Sequence, residues 1–486
     1  MHYIPTIGLE AHVELNTSSK VFCGCSTKFG ERPNTQVCPV CLGMPGVLPV
    51  LNRKAVEHTL ALAIALGCKI AAEARFDRKH YFYPDLPKNY QISEYDQPIA
   101  TAGQLELELK ETKKTIGLRR IHLEEDVGKN LHAEDTGLKE KSLVDFNRAG
   151  IPLMEIVTEP DLHSIEEVEV YMNTIRDILL YLNISDCKMQ EGSIRFEANV
   201  SISPSASPAK GVRVEIKNLN SFRSVAAAVE YEIKRQTEIL QAGERVKLET
   251  KLWDEKLKVT ESMRLKEEAH DYRYFPEPDL VPLLIAPSWV EEIRGRLPEL
   301  PQKKRERFIR DYGLPPYDAL VLTSSPLLAS FFEETVGMLP HPKMVSNWIM
   351  VEVLGIIKER GGDLSSIKLT SKLTPEKLAR LLKMIAAGTI SGKIAKEVLP
   401  VMLERGTDPE EIVREKGLLQ IEGRDEIEEA VNQVLKENDK TVAQYKEGKE
   451  KAFMFLVGQV MKKTRGRANP SLVNEILRKL LGKEQK

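Results

Sequence analysis

Leu9-Glu10-Ala11-His12-Val13-Glu14-Leu15 alternates strictly between apolar and polar side chains. On a strand this sends Leu9, Ala11, Val13 and Leu15 to one face and Glu10, His12 and Glu14 to the other. The apolar face has to pack, so the stretch predicts a sheet with one covered side and one polar side. Two carboxylates and an imidazole on that polar side are donors for a metal ion, but any solvent-facing strand shows the same alternation, and here both readings stand. Working outward, Leu105–Leu109, Ile194–Ile202 and Val212–Ile216 also alternate, whereas Lys54–Leu66 and Ser164–Leu182 have apolar positions three and four apart, the helical period. Residues 1–292 therefore read as an α+β domain on a mixed sheet.

Prolines 276, 278, 282, 287, 298 and 301 close that region, and the pattern beyond them is helical. Thr374-Pro375-Glu376 offers an N-cap, a proline at the first helical position and an acid at the helix's positive end; Ala379, Leu382, Ile385 and Ala386 then recur at helical spacing. Gly406-Thr407-Asp408-Pro409 breaks the pattern again. Two all-helical domains are predicted, over 293–405 and 406–486.

The 486 residues are 42% hydrophobic and 29% charged, an ordinary folded chain. The start MHYIPTIGLE has no basic region followed by an apolar one, and no run approaches the ~20 apolar residues of a membrane span, which places the chain in the cytoplasm. The net charge of −2 hides a basic tail: residues 435–486 hold 13 Lys/Arg against 6 Asp/Glu. Such a tail suits a phosphate backbone, and equally a set of solvated helix faces.

Four of the six cysteines fall within residues 23–41, as Cys23-Gly-Cys25 and Cys38-Pro-Val-Cys41. Two close pairs joined by a short loop supply the four thiolates of a closed, structural Zn²⁺ shell, a zinc knuckle. Cys68 and Cys187 stand alone in apolar contexts and read as core residues.

Carboxylates also break apolar patterns. In Arg120-Ile-His-Leu-Glu124-Glu125-Asp-Val127, Glu125 shares a face with Ile121, Leu123 and Val127; Glu155 sits inside the apolar run Ile151–Val157. A buried carboxylate needs a cation or donors, so each calls for a metal or a salt bridge. Together with the His12 strand they point to a shared Mg²⁺ site. Ser193, Arg195, Glu197 and Asn199 share one strand face, and Arg213, Glu215 and Lys217 another, either a phosphate-binding surface or solvated strands. Arg75 to Tyr90, including Lys79 and Tyr81, interleaves bases with aromatics, as in nucleobase stacking or a packed aromatic loop. Neither a G-x-x-x-x-G-K-[ST] run nor a G-x-G-x-x-G after a strand occurs, so a nucleotide would be bound by another architecture.

Long phrases then make the chain specific: IGLEAHVEL (7–15), FDRKHYFYPDLPKNYQISEYDQPI (76–99), IHLEEDVGK (121–129), SLVDFNRAGIPLMEIV (142–157), MQEGSIRFEANVSI (189–202), VEIKNLNSFRSV (214–225) and DYRYFPEPDL (271–280), with SNWIM, SGKIAKEV and KAFMFLVGQVMKKTRGRANPSLVN further on. They resemble the B subunits of the three-subunit tRNA-dependent amidotransferases, across the length of the chain. The resemblance implies a cradle-like catalytic domain, then a helical domain and a helical tail that contacts tRNA. It implies phosphorylation of the side-chain carboxylate of Glu on Glu-tRNA(Gln), or of Asp on Asp-tRNA(Asn), by ATP and Mg²⁺, then amidation by ammonia from an amidase A subunit, with a small C subunit completing the heterotrimer.

By the same resemblance His12, Glu125 and Glu155 match Mg²⁺ ligands, with Glu10 and Glu124 close enough for a second or transient ion. Lys79, Ser193, Arg195 and Lys217 are expected at the phosphate or aminoacyl group, Lys79, Tyr81, Arg195 and Lys217 at ATP, and Glu10 and Glu125 among the reacting groups. The cysteines, absent from some members, imply structural Zn²⁺. Two other readings remain open at this point: a non-catalytic tRNA-binding scaffold, and an ATP-dependent ligase acting alone.

Overall fold

The computed structural model of the chain describes residues 3–131, 141–205, 211–265, 272–360, 372–419, 424–464 and 466–482. Packing divides it into two compact units, Met1–Leu300 and Pro301–Lys486.

The first unit is α+β. Its main sheet contains β1 (Tyr3–Glu14), β2 (Lys69–Ile70), β6 (Ala100–Glu108), β7 (Lys113–Glu125), β10 (Pro152–Thr158), β11 (Ile194–Pro204), β12 (Val214–Leu219), β13 (Glu249–Asp254) and β14 (Val259–Leu265), in the order β14-β13-β12-β11-β1-β10-β7-β6-β2. Smaller sheets pair β4 (Asp77–His80) with β5 (Tyr90–Ser93) and β15 (Phe275–Pro276), β3 (Glu73–Ala74) with β16 (Leu283–Leu284), and β8 (Lys129–Leu131) with β9 (Leu143–Asp145). The stretch quoted at the outset is the middle of the main sheet: β1 lies antiparallel between β10 and β11. Ile7, Leu9, Ala11 and Val13 have no exposed surface and join one core with residues of helices α1 (Arg53–Ala65), α2 (Ile165–Tyr181) and α3 (Phe222–Gln241). Removing the Ile, Leu and Val side chains from water stabilises the fold by about 1.5–3 kcal/mol each. The helices begin where side chains satisfy their first N–H groups: Ser164 accepts from the Glu167 N–H, and Ser221 from the Ser224 N–H.

Tyr171 on α2 is fully buried in this core, and its hydroxyl has no hydrogen-bond partner among the described residues. Tyr171→Phe is therefore expected to raise stability by about 1 kcal/mol, since it removes an unsatisfied polar group and keeps the ring. Urea denaturation would show this as a higher midpoint at unchanged slope; a lower midpoint would mean the hydroxyl is bonded.

The second unit is helical, with one hydrophobic cluster running from Phe308 to Val413 and another from Ile427 to Leu481. The helix Pro375–Ala386 starts as its sequence predicts, with the Thr374 side chain accepting from the Lys377 N–H. Helix α4 (Pro287–Arg296) packs back on α1 and puts Ile293 into the first core, and the first unit runs to residue 300. The helix Pro409–Glu415 packs against Pro375–Ala386 and Gly392–Arg405, carrying the first helical cluster past residue 405. Arg465 and residues 483–486 of the basic tail lie outside the described residues. No helix among those described is long and apolar enough to cross a membrane.

Candidate functional site

The polar side of the main sheet is assembled by register. His12 on β1 stands opposite Glu155 on β10 and Arg195 on β11; Glu155 in turn stands opposite His122 on β7, and Glu10 opposite Glu197. Paired residues share a face, so strands far apart in sequence deliver these side chains to one surface. Ligand atoms of His12, Glu124 and Glu155 all come within 4.8 Å of one another, as do those of Glu10, Glu197 and Glu215.

In the first group His12 Nε2 lies 3.7 Å from Glu124 Oε1, and His122 Nε2 lies 2.9 Å from Glu155 Oε2. Burial pushes both carboxyls up, but His122 and His12 more than offset it and hold Glu124 below, and Glu155 well below, the usual carboxylate range. Ionised carboxylates and one imidazole converging on a small volume are a donor set that fits a hard divalent cation. In the second group the Asn199 amide donates to Glu10 at 2.9 Å, Thr250 Oγ1 donates to Glu215 at 2.8 Å, and Lys217 Nζ lies 2.8 Å from Glu197. Burial, Glu155 and Glu197 together push the Glu10 carboxyl up.

Cations border the same surface. Burial opposes the charge on Lys79, yet Glu124 and Glu155 keep its ammonium above the ordinary lysine range. Its Nζ sits 5.1 Å from the ring centre of Tyr272, which meets Tyr81 edge-on, and Tyr274 stacks on Tyr95 with ring centres 3.9 Å apart. Burial raises the Tyr81 hydroxyl despite the nearby Lys79 charge. Arg195 is held at 2.7 Å by Asp126, whose carboxyl, destabilised by burial, is brought down to about 2 by Arg148 and Arg195. Ser193 precedes β11, and its carbonyl accepts from the Glu14 N–H at 2.9 Å. A cavity of about 180 Å³ beside Glu10 is lined by Gly8, Arg119, Thr158, Asn199 and Arg213.

Glu125 does not join His12 and Glu155. Alternation places it with Ile121 and Leu123, as its sequence indicates, and that is the side away from His12; the neighbouring Glu124 takes the expected place. Glu125 Oε1 instead forms a close ion pair with Lys88 and accepts from the Ile92 N–H at 2.8 Å. The salt-bridge alternative is thus the one realised at Glu125. Lys88 and Glu125 line a separate cavity of about 200 Å³ with Cys23, Cys41, Tyr90 and Gly150. The sequence reading also missed His122, Ser93 and Glu94. The available signal was parity: Arg120, His122 and Glu124 form a polar stripe within a strand that is buried on both faces from Ile121 onward.

Cys23, Cys25, Cys38 and Cys41 bring their sulfurs within 4.8 Å of one another, all as free thiols. Cys41 Sγ accepts from the Cys38 N–H at 3.2 Å and from the fully buried Lys20 Nζ at 3.6 Å. Hydrogen bonding from Cys23, helped by the Cys38 N–H and the Lys20 charge, brings the Cys41 thiol down to about 4, while the Cys23 thiol that supplies the hydrogen bond is pushed up. Four sulfurs at this spacing fit a tetrahedral metal, and the electropositive lysine suits thiolates. Cys187 is buried in the first core and Cys68 packs against it; burial pushes their thiols up to about 12 and about 11.

Comparison with known proteins places these features in company. Residues 5–291 match the GatB/GatE catalytic domain, and residues 330–481 the GatB domain. The B subunits of aspartyl/glutamyl-tRNA(Asn/Gln) amidotransferase from Caldicellulosiruptor saccharolyticus and Thermodesulfovibrio yellowstonii are 55% and 54% identical to the chain, each over 99% of it and 100% of their own length. The corresponding protein from Thermoanaerobacter sp. (strain X514) is 54% identical over the same shares.

Proposed function

Because the chain belongs to the family of aspartyl/glutamyl-tRNA(Asn/Gln) amidotransferase B subunits, we propose that the polar face of its main sheet activates the side-chain carboxylate of Glu on tRNA(Gln), and of Asp on tRNA(Asn), for amidation. The family's enzyme turns these misacylated tRNAs into Gln-tRNA(Gln) and Asn-tRNA(Asn) with glutamine as the nitrogen source. In the step assigned to this chain, a carboxylate oxygen of the aminoacyl group attacks the γ-phosphorus of ATP, the bond to the β-phosphate oxygen breaks, and ADP leaves. Ammonia then attacks the carbonyl carbon of the acyl phosphate, inorganic phosphate departs, and the nitrogen sheds a proton.

The convergence of His12, Glu124 and Glu155 on one face, with Lys79 beside them, carries this reading. These three residues are suited to hold Mg²⁺, which when bound would neutralise charge on the phosphoryl oxygens. Lys79, kept charged by Glu124 and Glu155, is placed to meet the same oxygens, and Tyr81 and Tyr272 wall its ammonium. Asp126 fixes Arg195, and Glu197 fixes Lys217, so both reach the surface already oriented for phosphate or aminoacyl contacts. Glu10, with Glu197 and Glu215, is the place for a second or transient ion. Ser193 is assigned to the aminoacyl end. Glu125 and Lys88 line a cavity outside the cation site, whose polar wall is compatible with transfer of ammonia. The four cysteines hold a structural Zn²⁺, an amidase A subunit and a small C subunit complete the enzyme, and the basic helical tail meets tRNA. The chain works in the cytoplasm.

Lys79→Met in the complex reconstituted with its amidase is expected to lower ATP-dependent amidation of misacylated tRNA about a hundredfold, since one fixed charge facing the developing phosphoryl charge is lost. Glutamine hydrolysis without tRNA should not change. Wild-type amidation by the variant would remove Lys79 from the reaction.

A further inference from the structure

His122 is a buried histidine that the proposed chemistry leaves unused. It is 1% exposed, lies near the C-terminal end of β7 opposite Glu155, and its Nε2 is 2.9 Å from Glu155 Oε2 and 3.8 Å from Glu124 Oε2. An ionised carboxylate only accepts, so Nε2 carries the proton of this contact and has no lone pair to offer a metal. Nδ1 is buried without a partner among the described residues, so the ring's one close directional tie is to Glu155.

Glu124 divides its oxygens between two neighbours. Ser93 Oγ donates to Glu124 Oε2 at 3.1 Å, whereas Oε1 is the atom near His12 Nε2, at 3.7 Å. Both carboxylates are therefore gripped through Oε2, Glu155 by His122 and Glu124 by Ser93, and Glu124 keeps Oε1 toward His12. The grip is itself braced: the Glu94 carboxylate, 1% exposed, accepts from the backbone N–H of Leu123 at 3.3 Å and of Ile99 at 2.9 Å, fixing β7 next to His122.

We propose that His122, seconded by Ser93, is a positioning residue that sets the orientation of Glu124 and Glu155 and so the affinity of the chain for a divalent cation, without being a ligand. The inference rests on the cation site proposed above. Groups that orient metal-ligating side chains are typically worth 10- to 100-fold in affinity.

The test is Mn²⁺ binding by the full-length, zinc-loaded chain, read from the electron paramagnetic resonance signal of the free ion. The site is defined as the binding lost in Glu155→Gln. His122→Leu removes the donor at similar volume and is expected to weaken this binding about 10- to 100-fold. In His122→Gln the side-chain amide replaces the Nε2–H donor, and binding should recover most of that loss; Ser93→Ala should show a smaller fall. In the reconstituted enzyme, His122→Leu should raise the Mg²⁺ concentration for half-maximal amidation while the rate at saturating Mg²⁺ stays near wild type. Circular dichroism and zinc content report whether the variants fold. Folded His122→Leu with wild-type Mn²⁺ affinity overturns the proposal, as does His122→Gln being folded but no better than His122→Leu. A wild-type chain with no Mn²⁺ binding sensitive to Glu155→Gln overturns the cation site itself, and this inference with it.

Discussion

Glu124→Gln and Glu155→Gln, each placed in the reconstituted enzyme, are expected to cut ATP-dependent amidation by about a thousandfold while glutamine hydrolysis continues, because in the proposed site each removes a charge that would hold the cation at the phosphoryl group. Glutamine has the shape of glutamate, so packing is preserved and charge is what changes. The two effects should share a cause: Glu155 stands opposite His12 in the pairing of β1 with β10, and Glu124 Oε1 faces His12 Nε2. Glu125→Gln is the informative contrast. It breaks the buried pair with Lys88 and disturbs the adjacent cavity, but leaves His12, Glu124 and Glu155 in place, so Mn²⁺ affinity should stay at the wild-type value whatever happens to amidation. Loss of Mn²⁺ binding in Glu125→Gln, with retention in Glu124→Gln, would show that the strand presents the opposite residue to the ion.

This contrast also marks how far the sequence could be read. Alternation in Leu9–Leu15 revealed the two-sided sheet and the polar role of Glu10, His12 and Glu14, because side-chain parity is a local property. Parity likewise put Glu125 with Ile121 and Leu123. What it could not provide was the side that row faces, since this depends on β10 pairing both with β1, more than a hundred positions away, and with β7, a few tens of positions away. A carboxylate in an apolar row therefore looked like the anomalous ligand, whereas its ordinary-looking neighbour Glu124 is the one the structure brings together with His12 and Glu155. His122 was hidden for the same reason: in sequence it is an outward polar residue of an alternating strand, and only the covering strand β5, with Ser93, makes it interior. The end of the first unit is set by packing. Prolines mark where chain direction changes, but α4 follows the first of them and still folds back on α1. The cysteine cluster was the most legible feature, since four thiols within nineteen residues have few ways to be far apart.

The second large effect concerns that cluster. Cys38→Ser with Cys41→Ser is expected to abolish stoichiometric zinc and to lower the melting temperature of the N-terminal unit by about 5 °C or more, taking 1 kcal/mol as roughly 2–4 °C for a domain of this class. In small zinc fingers the ion contributes about 10–16 kcal/mol because nothing else folds them. Here the loop has other ties: the Lys20 N–H bonds to the Cys25 carbonyl, the Val21 N–H to the Gly150 carbonyl, and Asn34 and Gln36 bond to Val144 and Asn147. The loss should therefore be partial and local. Its local reach is set by Gly150, whose φ of +84° suits glycine and where an added Cβ would lie 3.4 Å from Cys41 Cβ and 4.0 Å from Glu125 Oε2. Loosening the knuckle thus reaches the Lys88–Glu125 cavity, which Cys23 and Cys41 also line, before it reaches His12. Zinc-depleted protein should keep the Mn²⁺ affinity defined by Glu155 while losing amidation supported by glutamine. Acidification should release the zinc, because its ligands are thiolates and protons compete for them. Metal analysis together with differential scanning calorimetry decides the matter: a double variant with wild-type zinc and melting temperature would leave the four cysteines as packed thiols.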